Sequence, residues 1–190
     1  MIRRLCVIGA LALALLAVSV PNAHAATEPS TWAPKFCTAF QKWQKTIIAE
    51  SAKANEVFDS TTTGDLQGIK DEFVSFLGKD VAATNQVISA IKKAGVPDAQ
   101  NGKAIQKKIV EGFQAAADIF DQAKTDAAKL STTDPTSFVT DATQIKTNLD
   151  GASSEFSTSF SQAEALDKKG TIGSALEDAK ACSFLFSSGS

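Results

Sequence analysis

The feature that most limits what this chain can fold into is an apolar repeat of helical period that runs almost end to end and never gives way to alternation. Phe36, Phe40, Trp43, Ile47, Ala54 and Phe58 fall on one stripe, with Cys37 and Ile48 beside it. Further stripes run from Leu66 to Ile91, from Ile105 to Leu130 and from Phe138 to Leu166. No segment shows the period-two pattern of a half-buried strand, so the chain is expected to be all-α. The breaks carry helix-end chemistry: Ser60 to Asp65, Gly95-Val96-Pro97 leading into a turn-rich linker to Gly102, and Asp134-Pro135 with a capping Asp before a first-turn Pro. Four rods of roughly 25 to 30 residues, each about 40 Å long and joined by short loops, match an antiparallel up-down-up-down four-helix bundle. Leu176, Ala179, Cys182 and Leu185, beyond the break at Gly170 to Gly173, indicate a short closing C-terminal helix.

Residues 1–25 read as a secretory signal peptide. Arg3 and Arg4 form a positive head, Leu5 to Val20 is an apolar run, and Ala23-His24-Ala25 is a small-x-small cleavage site. Cys6 opens that run instead of following it, so it is not the lipid-bearing cysteine of a lipoprotein leader. The mature chain is expected to begin with a flexible segment, 26–33, continue as a single helical domain, 34–186, and end in a disordered tail, 187–190. Removal of the leader takes 25 of 190 residues and leaves 165, enough for one domain with a core.

Cys37 and Cys182 remain, near opposite ends of the mature chain. An even pair in an exported protein is most simply a disulfide. In an up-down-up-down bundle the start of helix one and the end of helix four share one end, so this topology lets the two cysteines meet.

Processing also takes the single His (His24), both Arg and the only Met, and the sequence has no Tyr. An imidazole-based catalytic site is therefore excluded, and the usual zinc, di-iron and haem ligand sets are missing once the cysteines are bonded. Net charge moves from -2 to -4 with the two Arg gone, and the remaining cations are all Lys, which argues against nucleic-acid binding. Asp98 to Gly102 lacks the alternate acids of a calcium loop, and Gly102-Lys103 lacks the context of a phosphate loop. No cofactor, no metal and no enzymatic activity are expected, nor stable membrane insertion after processing. Trp32, Phe36, Phe40 and Trp43 gather four aromatics near the cysteine end, either to close the base of the core or to line a site for an apolar ligand.

Phe36-Cys37-Thr38-Ala39-Phe40, Gly95-Val96-Pro97 with Asn101-Gly102, Thr133-Asp134-Pro135 before Phe138, and Ala179-Lys180-Ala181-Cys182 together resemble small exported helical proteins of actinobacteria. That resemblance implies an exported bacterial helical domain and carries over no functional residues. The expected protein is thus secreted, free or loosely held at the cell wall. It acts through an unknown protein or cell-envelope partner or, alternatively, as an extracellular carrier of a lipid or other apolar small molecule.

Overall fold

A computed structural model describes residues 26–59 and 65–186, with side chains from 54 to 59 outside that description. The signal-peptide residues 1–25, the tail 187–190, most of the Ser60 to Asp65 break and the side chains of Ala54 and Phe58 lie outside the described residues. Four long helices follow one another: α1 (Pro29–Asp59), α2 (Leu66–Ala94), α3 (Gly102–Ala127) and α4 (Pro135–Leu166). A short α5 (Thr171–Asp178) and a 3₁₀ helix (Lys180–Leu185) complete the chain. The long helices form an antiparallel up-down-up-down bundle in which α1 packs on α2, α2 on α3 and α3 on α4. Cys37 and Cys182 are disulfide-bonded with Cα atoms 5.1 Å apart, and α5 and the 3₁₀ helix lie on α1.

The helix starts follow local chemistry. The Asp65 carboxylate accepts a hydrogen bond from the Gly68 N–H at the start of α2. Asp134 accepts from the Thr136 and Ser137 N–H groups at the start of α4, with Pro135 in the first turn as the sequence indicates. At the cysteine end the Asn101 side-chain amide donates to the Leu166 carbonyl at 3.0 Å, tying the α2–α3 loop to the end of α4.

Two boundaries differ from the sequence reading. Segment 26–33 is not a loose leader to the domain: helix begins at Pro29, Thr27 exchanges backbone hydrogen bonds with Val96 and Asp98, and Trp32 is fully buried. Pro29 and Pro34 both suit a first turn, and the anchored backbone of Thr27 with the burial of Trp32 selects the earlier one. The closing helix is two pieces, because Ala179 is extended between α5 and the 3₁₀ helix. Asp167 starts α5 by accepting from the Ile172 and Gly173 N–H groups at 2.8 Å.

The core is not continuous. One cluster surrounds the disulfide and includes Trp32, Phe36, Phe40, Ile91, Ile105 and Phe113. A second, at the far end, is built on Phe73, Phe76, Leu77, Phe138 and Ile145. Among the described residues a small buried group, Ala116, Phe120 and Ala152, forms a third cluster. Gly112 shows how closely α3 meets α4 here, since a Cβ on it would come 2.7 Å from Ser159 Cβ. The fourth side of the bundle, α1 against α4, is closed by side chains: Phe40 stacks on Phe156 and Phe160, and Trp43 on Phe156.

Candidate cleft between the first and fourth helices

Where the two large clusters part, a cleft of about 460 Å³ opens into the bundle. Every long helix supplies part of its wall at helical spacing. From α1 come Phe40, Trp43 and Ile47 with Gln44 and Ser51; from α2, Phe73, Phe76 and Asp80. Ala116 and Phe120 of α3 also line it. From α4 come Leu149, Ala152 and Phe156, with Lys146, Asp150 and Ser153 on their exposed flanks. Small residues make the space: Ala116 and Ala152 sit where larger side chains would fill the seam.

The aromatic row on α1 divides across this boundary. Trp32, Phe36, Phe40 and Trp43 form successive stacked pairs with ring centroids 5.1, 5.8 and 5.6 Å apart. Trp32 and Phe36 are 0 % and 1 % exposed and belong to the packed core beside the disulfide. Phe40 and Trp43 reach the cleft. Of the two aromatics near the C-terminus, Phe184 packs against Phe40, and Phe186 is exposed.

The cleft's polar feature is on α2. Asp80 is only 3 % exposed, yet its solvent-shielded Oδ1 has no hydrogen-bond partner among the described residues. Thr84, one turn on, has no proton to spare: its hydroxyl accepts from the Trp43 indole N–H at 2.9 Å and donates to the Asp80 backbone carbonyl at 2.7 Å. That chain fixes the Trp43 indole and leaves the Asp80 carboxyl unserved. Lys79, the cation whose charge acts on Asp80, is also taken, because Glu50 binds it at 3.1 Å and Lys53 at 2.9 Å. Burial therefore pushes the Asp80 carboxyl up to about 7, the negative charge of Glu50 adds to the rise, and Lys79 opposes it. Glu50 moves the other way, below the ordinary carboxylate value, chiefly through its hydrogen bond from Lys53.

Asp80 and Thr84 carry a signal in the sequence that apolar counting passes over. Phe73, Leu77, Asp80, Thr84, Val87 and Ile91 continue one face at three- and four-residue steps, so two polar side chains occupy core positions. A carboxylate in that register is either paired or unusual, and here it is unpaired.

Among the described residues no three His, Cys, Asp or Glu side chains are grouped to hold a metal ion. No described helix is long and apolar enough to cross a membrane. Compared with protein-family models, with curated proteins and with solved structures, the chain matches none.

Proposed function

We propose that this protein is a secreted, non-enzymatic carrier that holds an apolar small molecule in the cleft between α1 and α4. The observation that carries the reading is the cleft itself: about 460 Å³ inside a small bundle, walled by Phe40, Trp43, Phe73, Phe76, Phe120 and Phe156. That volume lies within the range of small-molecule sites, and interhelical spaces in bundles are common places for them. Export is supported by the leader-like residues 1–25 and by the Cys37–Cys182 bond, which suits an oxidising compartment. Action through a protein or envelope partner has less behind it. Among the described residues the large apolar side chains left exposed are scattered: Ile48 on α1, Val139 on α4 and Phe186 just past the 3₁₀ helix.

Two measurements test the carrier. Native mass spectrometry of protein purified from its own host should show a retained non-covalent mass. In Trp32→Phe, Trp43 is the sole indole, and its fluorescence should saturate on titration with an apolar probe. Ala152→Phe, which fills the cleft, should abolish that response while circular dichroism keeps its helical signal. A bare mass together with an unresponsive Trp43 across a series of apolar probes overturns the reading.

A further inference from the structure

From the walls of this cleft we infer that its ligand carries a basic nitrogen: the site is built for a lipophilic amine, whose ammonium group meets Asp80 while its apolar body occupies the aromatic bore. This rests on the reading of the cleft as a ligand site and adds the chemical class of what enters it.

Three observations converge. Asp80, a residue only 3 % exposed, lines the cavity with its solvent-shielded Oδ1 unpartnered among the described residues, a costly arrangement that a ligand donor would relieve. An ammonium ion relieves it most, since a charge-assisted hydrogen bond is about twice as strong as a neutral one. The apolar wall is largely aromatic, and the negative faces of its rings attract a cation; Lys146 and Asp150, at the exposed rim on α4, carry opposite charges. Finally, the neighbouring groups are committed elsewhere: Lys79 and Lys53 are bound to Glu50, the Thr84 hydroxyl spends its proton on the Asp80 carbonyl, and Lys146 is exposed on the α4 rim with no bond to Asp80 among the described residues.

The charged groups around Asp80 come from each neighbouring helix. Lys79 is beside it on α2, Glu50 with its Lys53 faces it from α1, and Lys146 and Asp150 stand on the α4 wall. From α3, Lys124 approaches Gly78, and the cleft-lining residues of that helix, Ala116 and Phe120, do not titrate. Across pH 5.5 to 8.5 an alkylamine stays charged, so its affinity should follow the ionisation of Asp80. Binding should strengthen with rising pH as that carboxyl gives up its proton, and release about one proton per ligand below neutrality.

The test is isothermal titration calorimetry of the oxidised full-length mature protein with decylamine and with decan-1-ol, at pH 5.5 and pH 8, in buffers of different ionisation enthalpy. The expected result is an amine preference of about tenfold or more at pH 8. That preference should shrink at pH 5.5, with proton release, and vanish in Asp80→Asn. Equal binding of amine and alcohol, or affinity that rises on acidification, overturns the amine assignment while leaving an apolar site in place. Binding of neither overturns both. The wild-type pH profile decides the matter even where Asp80→Asn fails to fold.

Discussion

Asp80→Asn provides a quantitative test of the buried carboxyl that needs no ligand. In the folded protein this group is pushed from 3.8 to about 7, mainly by burial. A tenfold change in proton affinity is worth about 1.36 kcal/mol, so full ionisation inside the cleft costs about 4 kcal/mol relative to the unfolded chain. Water admitted at the cleft mouth solvates part of that charge, so a cost of about 2 to 4 kcal/mol is expected. The folded state binds the proton more tightly than the unfolded state. This contribution to stability is therefore fully present below pH 3.8 and is lost as pH rises through about 7. Urea unfolding of wild type and Asp80→Asn, followed by circular dichroism from pH 4 to pH 8.5, should give a difference curve that falls by that amount across the interval. Asn cannot ionise, so the variant should be the more stable protein relative to wild type at pH 8 than at pH 4.5. Parallel pH profiles would show that Asp80 titrates as an ordinary exposed carboxyl and would remove the reasoning about its isolation.

Removing the covalent link should matter over the whole chain, because Cys37 and Cys182 are separated by 145 residues. Cys37→Ser with Cys182→Ser, assayed by urea unfolding, should lose at most about 5 kcal/mol, and the oxidised wild type should show no thiol at either position. Gly112 of α3 and Gly151 of α4 should respond oppositely to alanine. Gly112→Ala should lower stability by about 1 to 3 kcal/mol, because its Cβ would press on Ser159 Cβ. Gly151→Ala, with nothing within 4 Å of the new methyl group, should gain up to about 1 kcal/mol in helix propensity. Thermal unfolding of the two variants checks the pair, and destabilisation by Gly151→Ala would contradict the open space there.

The architecture was legible because each long helix advertises itself locally: an apolar face at three- and four-residue steps, Asp65 and Asp134 at starts, Gly95 and Pro97 after an end. The true start of α1 was not, because Pro29 and Pro34 satisfy the same first-turn rule and the choice between them is made by Val96 and Asp98, some seventy residues away. The cleft was half visible. Phe40 and Trp43 lie on it, but nothing in the spacing of α1 separates them from Trp32 and Phe36, which do not reach it. That distinction depends on what faces each ring from other helices. Phe36 is enclosed by its own cluster, whereas Trp43, although it meets Phe113 and Phe156, stands at the edge of that cluster where Ala116 and Ala152 leave the cleft open. Asp80 was legible only as an irregularity, a charge in a core register. Whether such a charge is paired is settled by Glu50, which lies in another helix and captures Lys79.

Closure of the α1–α4 side by rings has a mechanical consequence. Where packed backbones form a wall, widening the interior means prising rods apart against their whole shared length. Where rings form it, a guest of greater girth is admitted by torsion of the half-buried Phe156 about its side-chain bonds, at about 0.5 to 1.5 kcal/mol, while Trp43 is held by Thr84 and Phe40 by the core. The bore of this molecule is therefore adjustable at little expense, whereas its scaffold, stapled beside Cys37, stays put.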